Sequence, residues 1–219
     1  MARLVIFGAG DIARLAHFYF TTDSTHEVAG FVVDSAYRTA DTFLDLPLSD
    51  AETAVARYPP SDYSMFVAMS YAKMNAVRAE KYAAMKAAGY RLESYVSSRC
   101  SYLATTPPGD NCFILEDNTV QPFATIGNDV TLWSGNHIGH DAVIEDHCFI
   151  TSHVVVSGYV RVGARSFLGV NSTLRNSITL GEQTLVGAGA IVMKDTAPRS
   201  VYVPERAKLF KKTSDEMDM

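Results

Sequence analysis

The chain has 219 residues, 47% of them hydrophobic and 20% charged, with a formal net charge of -5; this is the profile of a globular protein with one large or two small domains. A net negative charge argues against nucleic acid as the main partner. No apolar run reaches the roughly 20 residues that a membrane-spanning helix needs, so no membrane partner is expected.

The N-terminal part alternates strand and helix patterns. Residues 3–7 read as a buried strand that runs into Gly8-Ala9-Gly10. A helix follows, with Asp11 as its expected N-cap and Ile12, Leu15, Ala16 and Tyr19 on one face. A second strand covers 27–33 and ends at Asp34, and a third covers 64–69. Asn75 is placed to cap a second helix that runs through Ala88 and stops at Gly89. A fourth strand is expected near 92–96. Strands alternating with helices imply a small parallel sheet of Rossmann-like α/β type.

Gly8, Gly10 and Ala13 form a G-x-G-x-x-A loop between strand and helix. Glycines there let a ligand approach the backbone, and the helix N-terminus favours an anion. Asp34, at the end of the second strand, can accept from a ribose hydroxyl or a base N–H. Gly8, Gly10, Asp11 and Asp34 are therefore candidate substrate-binding residues. Two features qualify this: an Asp11 carboxylate competes with phosphate for the same N–H groups, and such a loop can be a tight turn without a ligand.

The chain opens on Leu4-Val5-Ile6-Phe7 rather than on the long apolar region and cleavage site of a signal peptide. Cys100, Cys112 and Cys148 show neither paired nor metal-type spacing. Both features point to a reduced, cytoplasmic setting. Thr106-Pro107-Pro108-Gly109 is the strongest breaker on the chain. The expected organisation is an α/β domain over 1–100, a second domain over 101–210 and a flexible tail over 211–219.

The second domain is defined by its period. Every sixth residue from Ile114 to Val192 is aliphatic, fourteen in succession without a slip. Glycine follows at Gly127, Gly139, Gly163, Gly169, Gly181 and Gly187. A period of six fits neither a helix nor an alternating strand, and fixed periods mean solenoids. Three sixes make one triangular coil, and coils stack at about 4.8 Å. The aliphatic columns then form a core that no single repeat could bury. The pattern resembles the left-handed parallel β-helix of hexapeptide acyltransferases, and the left hand is implied by that resemblance alone.

Four histidines crowd the repeat: His137, His140, His147 and His153. His140 is the third residue of its six and faces outward at a turn. One coil on, 18 residues later, stands Gly158. A base beneath an N–H that no side chain shields is a workable acyl-transfer arrangement: the imidazole takes a proton and the N–H stabilises the developing oxyanion. Asp141 or Glu145 can orient the imidazole.

The stretch 138–144 (Ile-Gly-His-Asp-Ala-Val-Ile), with Ser157-Gly158, Val162-Gly163 and 167–171 (Phe-Leu-Gly-Val-Asn), resembles the sialic-acid O-acetyltransferase-like sugar acyltransferases. The likeness extends to the glycine loop, the Arg78-to-Gly89 helix and Val203-Pro204 with Ala207-Lys208. It implies acetyl-CoA as co-substrate, a nucleotide-linked sugar as acceptor, no metal, and a homotrimer with sites between subunits. It implies His140 as the catalytic base, with Asp141 beside it and Gly158 as the amide that meets the thioester carbonyl. Backbone at Val170 and Ala188 would meet the pantetheine arm, with His153 also a candidate on the cofactor side. The family often has a second histidine nine residues after the first; Phe149 stands there, leaving His147 and His153 as stand-ins. Phe149, Val155, Phe167, Leu185 and Ile191 read as an apolar outer stripe suited to trimer packing.

Two other functions fit parts of the pattern. A trimeric β-helix can hold zinc with three histidines and hydrate a substrate, although the histidine spacings here lack the pair five apart that such enzymes show. A non-catalytic trimeric scaffold needs only the solenoid. A nicotinamide dehydrogenase is disfavoured, because a β-helix offers no hydride-transfer architecture.

Overall fold

A computed structural model describes residues 3–209 and 211–217. Residues 1, 2, 210, 218 and 219, which fall within the expected domain and tail bounds, lie outside it. The first part is a five-stranded sheet with strands β1 (Arg3–Phe7), β2 (Glu27–Val33), β3 (Thr42–Phe43), β4 (Leu46–Asp50) and β5 (Tyr63–Val67). Their order is β3-β4-β2-β1-β5. All pairings are parallel except β3 with β4, so the sheet is mixed rather than all-parallel. Leu44 and Asp45, both at positive φ, make the tight β3–β4 turn. The sheet carries α1 (Asp11–Thr22), the short α2 (Ala54–Arg57) and α3 (Ala76–Ala87). No helix among the described residues is long and apolar enough to cross a membrane.

Two expected caps are absent. Gly10, not Asp11, is the N-cap of α1, and no side chain caps it. Asp11 is the first helical residue, and its exposed carboxylate pairs with Arg14 at 3.4 Å. Asn75 does precede α3, but it adopts a left-handed conformation (φ 64) and makes no capping bond. Its side chain instead donates to the carbonyls of Arg165 and Ser166 at 3.1 and 3.3 Å.

The rest of the chain is a parallel β-helix of two-residue strands. One face runs from Tyr95–Val96 through Phe113–Ile114, Thr131–Leu132, Phe149–Ile150, Phe167–Leu168 and Leu185–Val186 to Val201–Tyr202. A second runs from Ser101–Tyr102 to Ile191–Val192, and a third from Thr125–Ile126 to Thr179–Leu180. Partners are 18 residues apart, as in Phe149 with Phe167 and His137 with Val155. The expected fourth strand at 92–96 divides: Leu92 makes a single parallel bridge to Met65, while Tyr95 begins the coil by pairing with Phe113.

The coil's interior is the aliphatic column, with Ile114, Val120, Leu132, Ile138, Ile150 and Leu168 all 0% exposed. Cys112 and Cys148 are buried in the same core. At about 25 cal/mol per Å² of apolar surface removed from water, each such side chain stabilises the stack by about 1.5–3 kcal/mol. Every sixth residue from Asn111 to Gly189 has positive φ. These are the corners, where the chain turns from one face to the next.

The N-terminal sheet covers the first face. Tyr95, Phe113 and Leu115 join a core with Leu4, Ile6, Phe20 and Phe66. Tyr71 packs on Phe149 and Phe167, with ring centroids 5.1 and 4.8 Å away. The expected outer stripe is thereby corrected: Phe149, Phe167 and Leu185 lie on the first face, and Val155 and Ile191 on the second. Only a spacing of 18 keeps residues on one face, and Phe149 is 1% exposed beneath the N-terminal part.

Candidate active site

At the edge between the second and third faces, the corner after His137–Ile138 presents His140 and Asp141. The His140 side chain is half exposed, and its Nδ1 lies 2.9 Å from Asp141 Oδ2. A hydrogen bond there puts the proton on Nδ1 and leaves Nε2 as the acceptor. Nε2 points under Gly158: a Cβ built on Gly158 would sit 2.7 Å from it. A Cβ on Gly139 would sit 2.5 Å from the Gly158 nitrogen, so two glycines are needed for the coils to close here. The His140 N–H is held by Gln121 Oε1 at 2.9 Å, whereas the Gly158 N–H has no acceptor among the described residues. A base and a free donor therefore face the same space. Tyr159 completes the corner, its ring 5.0 Å from the imidazole and nearly perpendicular to it.

Glu145, the alternative orienting carboxylate, is engaged elsewhere. It binds Arg161 and accepts from the Ala164 N–H at 2.9 Å. The other histidines separate as well. His147 Nδ1 is 2.8 Å from Asp129 Oδ2, and its ring packs against Tyr82 of α3. His147 thus docks the helix and lies away from His140. His153 is exposed on the edge between the first and second faces, and its ring fills the space a Cβ would take on Gly135. His137 is half-buried on the second face.

Val170 and Ala188 are exposed at the same edge as His153, and their N–H groups have no acceptor among the described residues. A single chain therefore brings together His140, Asp141 and Gly158 on one edge, and His153, Val170 and Ala188 on another. The second face separates them.

The N-terminal part holds a cleft of about 750 Å³, lined by Gly8, Gly10, Asp11, Asp34 and, from the following elements, Lys73 and Lys81. Gly8 has φ +127, and a Cβ on it would lie 2.6 Å from the Ala68 carbonyl oxygen; only glycine fits both constraints. Around Gly10 the space is open. Asp34 is not free to accept with both oxygens, because Lys81 Nζ binds its Oδ1 at 2.8 Å. That bond is also the main reason the Lys81 ammonium titrates above its usual range. The sequence reading missed Lys73 and Lys81. A helical count from Val77 would have placed Lys81 beside it on the cleft side of α3.

The other side of α3 carries Arg78, 1% exposed. Its guanidinium donates to Thr131 Oγ1 at 2.7 Å and to the carbonyls of His147 and Cys148 at 2.8 and 3.2 Å. Nε lies 3.2 Å from the buried Asp129 carboxylate, an ion-pair contact without hydrogen-bond alignment. One helix therefore walls the cleft and is anchored to the coil. No group of three or more His, Cys, Asp or Glu side chains among the described residues is placed to hold a metal ion.

Residues 123–158 match the family described as bacterial transferase hexapeptide (six repeats), and residues 159–194 match the hexapeptide repeat of succinyl-transferase. The coil is made of transferase hexapeptide repeats. Among curated proteins, an acyl-[acyl-carrier-protein]–UDP-N-acetylglucosamine O-acyltransferase of Burkholderia lata is 24% identical over 84 residues, 38% of this chain and 32% of that protein. Its counterpart in Stutzerimonas stutzeri is 31% identical over 71 residues, 32% of this chain and 28% of that protein. The chain thus spans about a third of the length of the curated relatives it matches.

Similarity of fold is far more extensive. The acetyltransferase domain of PglB from Neisseria gonorrhoeae superposes with a TM-score of 0.78 at 18% identity, covering 92% of this chain and 96% of that one. A variant of perosamine N-acetyltransferase from Caulobacter crescentus, solved with CoA and GDP-perosamine, gives 0.80 at 22%, covering 92% and 93%. WeeI from Acinetobacter baumannii gives 0.77 at 16%, covering 92% and 96%. The hexapeptide repeats thus continue, in these proteins, into the same N-terminal architecture.

Proposed function

We propose that the protein transfers an acetyl group from acetyl-CoA to an amino or hydroxyl group of a nucleotide-linked sugar. The observation that carries this is the His140 corner: a base fixed by Asp141, with its free nitrogen beneath the unpaired N–H of Gly158. Support comes from the whole-length likeness to structures that hold CoA and GDP-perosamine, and from the sugar O-acyltransferases matched by the coil. The finer placement, a left-handed coil of the sialic-acid O-acetyltransferase-like group, rests on the motif resemblance.

In this reading acetyl-CoA supplies the activated acyl carbon. His140 Nε2 accepts the proton that the acceptor nitrogen or oxygen loses as its bond to that carbon forms, and passes it to the departing thiolate as the C–S bond breaks. Asp141 stabilises the imidazolium through Nδ1. The Gly158 N–H donates to the carbonyl oxygen as charge develops on it. The cleft around Gly8, Gly10 and Asp34 holds the nucleotide, with Lys73 and Lys81 supplying positive charge for its phosphates.

The separation of the two edges supports a homotrimer. Around a three-fold axis, the His140 edge of one copy would meet the His153, Val170 and Ala188 edge of the next, which would carry the pantetheine arm. The reading is tested by following thiol release from acetyl-CoA with UDP-, dTDP- and GDP-linked amino and neutral sugars. Release with one sugar, reduced about 100- to 10,000-fold in His140→Ala, is expected. Full release in His140→Ala would overturn the role of His140, and absence of release and of acetyl-CoA binding would favour the scaffold.

A further inference from the structure

The corner positions of the coil hold backbone that L-residues avoid, and most are occupied by small, polar or histidine residues. Among those at 111 to 189, Phe123 and Tyr159 are the two phenyl-type rings. Both stand on the edge that carries His140 and Asp141, one coil below and one coil above Asp141. Tyr159 has φ 59 and is 60% exposed. A bulky aromatic in the left-handed region is an outlier, and burial does not compensate it here. Its hydroxyl has no hydrogen-bond partner among the described residues. Its side chain has one aromatic neighbour, the His140 ring, met edge-to-face at 5.0 Å and 89°. Its N–H donates to the His140 carbonyl at 3.0 Å. Strain of this kind persists where function holds it.

From this we propose that Tyr159 is a positioning residue of the transfer site, its ring keeping the half-exposed His140 imidazole in the rotamer that directs Nε2 beneath Gly158. Asp141 fixes one nitrogen but is itself 36% exposed, and it lies on the side away from Nε2. Gly158 offers no side chain to hold the ring. Tyr159 therefore supplies the lateral wall. An edge-to-face contact shifts a rotamer equilibrium by about 2- to 12-fold, enough to decide which pose a solvent-exposed histidine occupies.

The inference rests on His140 acting as the base, and the test separates the two. In Tyr159→Asn, a residue that tolerates the left-handed corner, thermal stability should hold or rise while kcat falls about 2- to 12-fold. KM for acetyl-CoA should be unchanged, and the acid limb of the kcat–pH profile should move. Tyr159→Phe should restore kcat and the profile, because the ring and not the hydroxyl does the positioning. Independently of turnover, nitrogen-15 NMR of the imidazole in the full-length protein should show one tautomer for His140 in the wild type and an averaged pair in Tyr159→Asn. Phe123→Asn, which relieves the same strain one coil below, should leave that signal as in the wild type. An unchanged His140 signal with unchanged kcat in Tyr159→Asn would overturn the inference. An altered signal in a protein that shows no His140-dependent turnover would leave the positioning intact and overturn only the proposed reaction.

Discussion

Replacing Arg78 with Met should detach α3 from the coil, and its magnitude can be worked from the contacts. Arg78 is almost fully buried and satisfies Thr131, two coil carbonyls and Asp129 at once. Met fills a similar volume but leaves the 1% exposed Asp129 without its cation. Asp129 keeps His147 Nδ1 at 2.8 Å and Asn111 Nδ2 at 2.7 Å, so part of its desolvation remains offset. Removing one member of a buried pair costs about 3–5 kcal/mol. In a chain of this size each kcal/mol lowers Tm by about 2–4 °C, so a fall of about 6–20 °C is expected. Trp133, the only tryptophan, lies on the covered side of the coil with its ring 6.4 Å from Phe149. Its fluorescence during thermal melting therefore reads the affected interface. The partner substitution Asp129→Leu, combined with Arg78→Met, should cost less than the two single changes added together. A Tm fall below about 3 °C in Arg78→Met, or strict additivity in the pair, would refute the view that this ion pair anchors the helix.

Other outcomes follow from the same geometry. Gly158→Ala should fold normally, because the added Cβ meets only the far end of the His140 side chain, yet lose thiol release by about 100-fold or more. Mixing equal amounts of His140→Ala and Val170→Arg subunits, after dissociation and reassembly, should recover about a quarter of wild-type activity from two nearly inactive proteins, since a site between copies draws one edge from each; no recovery would argue against a shared site. Asp23 accepts from Tyr95 Oη at 2.6 Å and the Ser98 N–H at 2.9 Å, and these bonds pull its carboxyl down to about 2. Its contribution to stability is therefore complete above its unfolded value near 3.9 and lost as pH falls from about 4 towards 2. The Tm difference between wild type and Asp23→Asn should shrink across that window.

The coil was legible because its physics is one-dimensional: fourteen aliphatics at a fixed period specify strands, faces and core together, and an offset of 18 predicts which residues stack. That arithmetic placed Gly158 above His140 without a structure. The same arithmetic, carried further, would have separated Phe149 from Val155 and prevented the misreading of the outer stripe. What the sequence concealed is what crosses between periodic and non-periodic parts. Arg78 reads as one more cation on a helix, and nothing local says that it lies against Asp129, 51 residues later. Asn75 looks like an N-cap because its type is right, but tertiary bonds to Arg165 and Ser166 compete for its amide and win. The short β3 and β4 escaped notice because two- and five-residue strands broken by Pro47 carry little alternation.

The placement of α3 connects the two halves of the proposed function. A nucleotide cleft and an acyl-transfer corner are of use to each other only if their separation is fixed, because misplacement by about 1 Å is enough to cost about 100-fold in rate. A flexible tether between sheet and coil would not fix it. Here Lys81 faces the cleft while Arg78 and Tyr82, on the opposite side of the same helix, are locked to the coil through Asp129, Thr131 and Asp110. The three residues before α3, Lys73, Met74 and Asn75, all have positive φ. Such a left-handed run is unfavourable on its own and is held by the Asn75 bonds to the coil. The chain thus tolerates strain and a buried charge at the joint, both of which oppose stability, where an apolar contact would have sufficed for folding alone. Register between cleft and corner is the property that such a directional joint supplies and an apolar one does not.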